Sequence, residues 1–157
     1  MDNATRMPSI EKLLKLENVR MIHSVSDWKE AIHVSVMPLV EQGYCEARYI
    51  DGIIENTYKF GPYYVLCENL ALIHASADKG VIKTQMAVTV LENPIKFKAD
   101  GYDARVLIAL GAKDSETHLS AMQAISSVFS DEQKVNKILT ASDCKEVHEV
   151  FMTASDA

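Results

Sequence analysis

The run RVLIAL, Arg105 to Leu110, is apolar at every position from Val106 onward, the composition of a strand buried on both faces in the middle of a sheet. Working outward, TQMAVTVL (Thr84–Leu91) has the β-branched and apolar content of a second strand, and Pro94–Phe97 extends the same sheet. Tyr63–Cys67 reads as a short buried strand and Leu70–Ala75 as a further apolar stretch, with Glu68-Asn69 as the turn between them. Three or four strands are therefore expected in the middle of the chain. Their order does not follow from pattern alone.

Helical periodicity occupies both ends. Ile10, Leu13, Leu14 and Leu16 form a short helical pattern within Ser9–Asn18 that docks on the body. Ser26 or Asp27 then caps a helix whose apolar stripe is Trp28, Ala31, Ile32, Ser35, Val36, Leu39 and Val40; Pro38 should kink it or mark a tighter turn before its last residues, and Gly43 ends it. A second helix follows over Glu46–Phe60, with Tyr49, Ile50, Ile53, Ile54, Thr57 and Tyr58 in its stripe, and closes at Gly61-Pro62. Beyond RVLIAL, helical stripes run over Thr117–Phe129 (Leu119, Met122, Ile125, Val128 and Phe129, capped by Asp114 or Ser115), Asp131–Leu139, and Ser142–Met152. With no repeat, low-complexity run or long linker, residues 1–157 read as one α/β or α+β domain with helices packed on a sheet.

At 157 residues with 48% hydrophobic side chains, the chain has the size and apolar content for a single core. Its 16 basic and 22 acidic side chains give a net charge of -6, which opposes nucleic-acid backbones and anionic membranes. No apolar run reaches the roughly 18 to 20 residues that span a bilayer, and the start MDNATRMPSIEKLLKLENVR lacks the apolar segment of a signal peptide. The expected location is the cytoplasm. Cys45, Cys67 and Cys144 are odd in number and widely spaced, so they read as reduced thiols; Cys45 and Cys67 lie among apolar neighbours, as small core residues do.

Five histidines are present, and their contexts separate them. His74 ends the apolar run Leu70–Ile73 and precedes Ala75-Ser76-Ala77, so it sits where a buried strand emerges into a loop, supported on one side and accessible on the other. A histidine that merely satisfies a strand end is the competing reading. His118 lies in the first turn of the helix after RVLIAL, beyond the loop from Gly111 to Thr117. The carboxyl ends of strands and the helix starts beyond them form the usual ligand crevice of α/β sheets. If both strand ends share an edge, His74 and His118 face one another there, a pair suited to phosphoryl chemistry: one neutral imidazole attacks phosphorus while the other donates hydrogen bonds. If not, two histidines 44 positions apart never meet. His23, His33 and His148 are adequately explained as surface residues. The chain has no HxH, HExxH or CxxC, and no GxGxxG, Walker A or GxSxG motif; no metal site and no cofactor is expected.

Four stretches, DWKEAI (Asp27–Ile32), LVEQGYCEARYIDGII (Leu39–Ile54), GPYYVLCENLALIHA (Gly61–Ala75) and VLIALGAKDSETHLSAMQAI (Val106–Ile125), resemble the enzyme IIA component of the bacterial phosphotransferase system, fructose/mannitol type, nearly end to end. The resemblance implies a mixed sheet of about four or five strands flanked by helices. It places the phosphorylated histidine at His74 and a supporting one at His118. It also implies a relay in which phospho-HPr donates to Nε2 of His74, which passes the group to a cysteine of a separate enzyme IIB, with membrane enzyme IIC involved indirectly and no cofactor required. An acidic chain then suits a donor that docks through a positively charged face.

GPYYVL, Lys83-Thr84 and Thr117-His118 are most similar to the ascorbate-specific branch, which implies uptake of ascorbate or a related sugar. Two positions depart from the family pattern. Ile73 stands where proline usually precedes the reactive histidine, and Ser76 where ascorbate-type members often carry arginine. The first alters loop stiffness and the second removes a phosphate partner. A regulatory module whose His74 phosphorylation state signals to a partner, or an inactive scaffold, remain as alternatives.

Overall fold

The structure, a computed structural model, describes residues 10–156. Five strands form one sheet in the order β1-β4-β5-β3-β2: β1 (Val19–Ile22), β2 (Val65–Cys67), β3 (Asn69–Ile73), β4 (Gln85–Lys96) and β5 (Asp103–Gly111). The strand containing RVLIAL occupies the centre, as its unbroken apolar content demands. It pairs antiparallel with β4 and parallel with β3. The sheet is mixed, because β1 is parallel to β4 and β2 is antiparallel to β3.

Alternation along the strands splits the core into two layers. Leu70, Leu72, Val106, Ile108 and Leu110 face one side, where α1 (Ile10–Leu13), α4 (Ser115–Phe129), α5 (Glu132–Leu139) and α6 (Cys144–Met152) supply Leu13, Ile125, Val128, Ile138, Val147 and Phe151. Ala71, Ile73, Ala87, Leu107 and Ala109 face the other, under α2 (Trp28–Glu41) and α3 (Arg48–Phe60) with Ile32, Val36, Leu39, Tyr49 and Ile53. The alanines of this face let α2 lie close to the sheet. Each layer alone would leave one sheet face wet, so the helices at both ends of the chain are needed to close the α/β fold.

Local chemistry sets the helix starts. Asp27 caps α2 by accepting from the Glu30 N–H at 2.9 Å, while the Glu30 carboxylate accepts from the Ser26 N–H at 2.7 Å. Asp114, Asp131 and Asp143 cap α4, α5 and α6 in the same way. Helix α2 stays α-helical through Pro38 to Glu41, without the tighter turn that proline could have marked. Proline has no N–H for the Val34 carbonyl, and the Arg20 guanidinium on β1 donates to that carbonyl instead.

Several expectations are corrected. Val19–Ile22 is a strand that pattern did not reveal. The strand expected over Tyr63–Cys67 is only Val65–Cys67 and is not buried: it is the sheet's edge, with Leu66 and Cys67 exposed, while Tyr64 is buried before the strand begins. The stretches expected over Thr84–Leu91 and Pro94–Phe97 merge into a single long strand, Gln85–Lys96, with a register shift between Val90 and Ile95. The N-terminal helical pattern resolves into α1 and a 3₁₀ turn at Leu16–Asn18; Ser9 lies outside the described residues. Tyr58 and Leu119, assigned to buried stripes, are 66% and 50% exposed.

Candidate active site

Parallel pairing of β3 with β5 brings Ile73 opposite Ala109, so the carboxyl ends of both strands share one edge of the sheet. Carrying the alternation one residue past β3 puts His74 on the same face as Leu70 and Leu72, which is the face covered by α4. His118 descends from the first turns of α4. The two imidazoles meet, with ring centroids 5.6 Å apart and planes tilted by 37°. His74 and His118 line a crevice of about 690 Å³ together with Asn56, Phe60, Tyr63 and Lys113.

The orientation of the His74 ring is set by its own strand. Nδ1 lies 2.6 Å from the Leu72 carbonyl oxygen, which can only accept, so Nδ1 carries the proton. The neutral ring then presents Nε2 as its lone-pair nitrogen. Burial pushes the His74 pKa below its ordinary value of 6.5, the bond to Leu72 works against that shift, and the neighbouring charge of His118 adds to it. At neutral pH the ring is therefore uncharged and nucleophilic.

Two tyrosines hold the surrounding backbone. The fully buried Tyr49 hydroxyl donates to the Leu110 carbonyl at 2.8 Å and accepts from the Ala75 N–H at 2.9 Å, tying the loop after β3 to the end of β5. Tyr63 donates to the His74 carbonyl at 2.5 Å, and its ring meets the imidazole edge-on with centroids 5.6 Å apart. On the other side, Thr84 Oγ1 accepts from the Lys113 N–H at 2.9 Å and lies 2.9 Å from Thr117 Oγ1, while Asp114 accepts from the Thr117 N–H at 2.8 Å. This network fixes the loop that delivers His118. Gly111 begins that loop because a Cβ there would lie 2.8 Å from Cys45 Sγ.

The pairing of His74 and His118 agrees with the sequence reading. The supporting roles of Tyr49, Tyr63, Thr84 and the Leu72 carbonyl were not assigned from sequence, where Tyr63 and Thr84 entered only through strand pattern and the resemblance, since each acts across 2 to 61 positions of chain through contacts that local pattern does not encode. The other histidines lie elsewhere: His23 bonds Glu92 at 3.1 Å on the surface, His33 is exposed on α2, and His148, half-buried on α6, contacts the Leu14 carbonyl at 3.0 Å. Cys45 is buried, its thiol pKa pushed up to about 12, whereas Cys67 is exposed and not the core residue expected. Among the described residues no group of three or more His, Cys, Asp or Glu side chains is arranged to hold a metal, and no helix is long and apolar enough to cross a membrane. Ser76, at the position of the missing arginine, hydrogen-bonds the Asp78 carboxylate at 2.5 Å.

Residues 12–153 match the family model described as phosphoenolpyruvate-dependent sugar phosphotransferase system, EIIA 2. A mannitol-specific cryptic phosphotransferase enzyme IIA component of Escherichia coli is 35% identical over 134 residues, 85% of this chain and 91% of that one. An ascorbate-specific EIIA component of the same organism is 30% identical over 140 residues, covering 87% and 90%. The solution structure of a mannitol-specific cryptic enzyme IIA from Escherichia coli superposes with a TM-score of 0.85 at 32% identity, over 93% of this chain and 99% of that one. Similarity thus reaches both the mannitol and the ascorbate branches, and the ascorbate assignment does not stand apart. With a mixed five-stranded sheet flanked by helices and a match over nearly its whole length, this chain belongs to the type 2 EIIA family of the sugar phosphotransferase system.

Proposed function

We propose that residues 1–157 act as one cytoplasmic phosphoryl-carrying domain that takes its phosphoryl group from phospho-HPr on Nε2 of His74 and passes it to a cysteine of a separate enzyme IIB. In the first step, the Nε2 lone pair attacks phosphorus and the N–P bond of phospho-HPr breaks, its electron pair returning to the donor imidazole. In the second, a thiolate attacks the same phosphorus and Nε2 recovers its lone pair. His118, its ring centroid 5.6 Å from that of His74, donates to the phosphoryl oxygens as charge develops.

The observation that carries this reading is the Nδ1 contact to the Leu72 carbonyl, which leaves Nε2 unprotonated beside a second imidazole. The rim supports docking of protein partners, since Phe60 is 72% exposed on the crevice and Leu119, next to His118, is also uncovered. Ascorbate or a related sugar is the cargo proposed for the system, on the GPYYVL, Lys83-Thr84 and Thr117-His118 resemblance and the ascorbate-specific relative.

The test is incubation with phosphoenolpyruvate, enzyme I and HPr, followed by mapping of the label. Uptake that vanishes in His74→Ala is the expected result; equal uptake by that variant overturns the site. Discharge onto an ascorbate-type but not a mannitol-type enzyme IIB would support the cargo, and the reverse preference would overturn it.

A further inference from the structure

We propose that Lys113 is a catalytic residue of the transfer, its ammonium neutralising the phosphoryl oxygens on His74. This inference rests on the carrier reading and extends it. A phosphoryl group in flight spreads negative charge over three oxygens, and catalysis of its transfer is largely positioning plus electrostatic stabilisation. The protein as a whole works against that charge, because it carries a net charge of -6. A local cation must offset this at the site.

The crevice that holds His74 and His118 is lined by two formally charged side chains, Lys113 and Asp114. Asp114 is committed elsewhere: its carboxylate caps α4, accepting from both the N–H and the hydroxyl of Thr117 at 2.8 Å, and these bonds hold its pKa below the usual carboxylate range. Lys113 is arranged in the opposite way. Its main-chain N–H is pinned to Thr84 Oγ1 at 2.9 Å, which fixes its Cα on the crevice wall. Its side chain is exposed, and among the described residues no carboxylate lies within ion-pair distance of its ammonium.

Two other cations lie by the loop after β3: Arg48 is held by Glu46 at 2.8 Å and by the Asp78 carbonyl at 2.9 Å, and Lys79 lays its stem over Gly52 of α3. Ser76, bound to Asp78, offers no charge. The imidazole of His74 is kept neutral by burial. Lys113 thus stands on the crevice wall with a fixed main chain and an exposed ammonium that no carboxylate holds in an ion pair among the described residues. It takes no proton in the transfer; its three N–H donors bind oxygens while the N–P bond to the donor breaks and the N–P bond to His74 forms.

The experiment compares wild type, Lys113→Gln and Lys113→Arg in single-turnover uptake from phospho-HPr across donor concentrations, with ³¹P titration of each phosphorylated protein. Because the bond to Thr84 uses the main chain, every variant keeps it. In Lys113→Gln the rate at saturating phospho-HPr should fall by about tenfold or more, as for loss of one charge-stabilising donor. Lys113→Arg should stay within about threefold of wild type. The final deprotonation of the phosphoryl group should move to higher pH in Lys113→Gln.

A wild-type saturating rate and an unmoved ³¹P titration in Lys113→Gln overturn the proposal. A change confined to the donor concentration needed for half-saturation also overturns it, by assigning Lys113 to docking. His74→Ala separates the two levels: label that persists in that variant defeats the carrier reading itself, whereas label lost there with Lys113→Gln indifferent defeats only the role of Lys113.

Discussion

Tyr63 grips His74 twice, through a hydrogen bond from its hydroxyl to the His74 carbonyl and through an edge-on ring contact with centroids 5.6 Å apart. The two contacts separate by mutation. Tyr63→Phe keeps the ring and deletes the hydrogen bond, worth about 1 kcal/mol net, so phosphoryl uptake should slow by about fivefold with the fold intact. Tyr63 acts through His74 and not on the phosphoryl group. ¹⁵N shifts of the His74 ring should therefore show the Nδ1–H tautomer less uniquely populated in Tyr63→Phe, and unchanged shifts would remove it from that role.

Tyr49 makes a stronger claim on stability. Tyr49→Phe leaves the Ala75 N–H and the Leu110 carbonyl without their shared partner at a fully buried position. Each orphaned group costs about 1 to 3 kcal/mol, so a loss of about 2 to 6 kcal/mol is expected in chemical denaturation. Equal stability of Tyr49→Phe and wild type would show that water replaces the hydroxyl.

The lowered pKa of His74 has consequences for both activity and folding. An NMR titration of its ring should give a midpoint below 6.5, and His118→Ala should raise that midpoint by removing a neighbouring positive charge. The sign for stability follows from proton binding: between the folded and unfolded pKa values the unfolded chain binds more protons. The contribution of His74 is thus fully present above about 6.5, falls as pH drops through the window below it, and is constant again beneath the folded value. In His74→Gln this part of the pH dependence should be gone from denaturation curves measured between pH 5 and pH 7, a window of about two units around the ordinary value. His118→Ala should also slow transfer; an unchanged rate would exclude it from the site.

Arg20 and Pro38 form a compensating pair across the β1–α2 contact. Arg20→Leu removes the donor that serves the Val34 carbonyl and should destabilise the protein by about 1 to 3 kcal/mol. Adding Pro38→Ala restores a main-chain N–H four residues after Val34, so the double variant should recover about 1 kcal/mol or more of that loss. Additive effects in the double-mutant cycle would refute the pairing.

The centre of the fold was legible from sequence because β5 is buried on both faces and its composition shows it. The edges were not. Val19–Ile22 has four residues with an arginine among them, too few for alternation to register, and it joins the sheet only through its pairing with β4. Tyr63–Cys67 looked buried because its residues are apolar, yet apolar content cannot distinguish an edge from an interior when only one neighbouring strand exists. The candidate site followed the same logic. Each histidine could be placed at a strand end or a helix start, but their meeting depends on β3 and β5 being parallel neighbours, a fact of topology that pairs residues far apart in the chain. Tyr58 and Leu119 fitted helical stripes while pointing outward, since periodicity marks a face broader than the part that is covered.

On the proposed carrier role of His74, the hydrogen bond from its ring to Leu72 would determine which chemical isomer of phosphohistidine forms. With the nitrogen nearer the main chain blocked, only the distal isomer is accessible, so reagents that discriminate the two isomers should recognise this protein in one class alone. The blocking atom belongs to the main chain. Substitution of the side chain at position 72 leaves a carbonyl in its place, and the regiochemistry is therefore insulated from drift at that position as long as the strand itself persists.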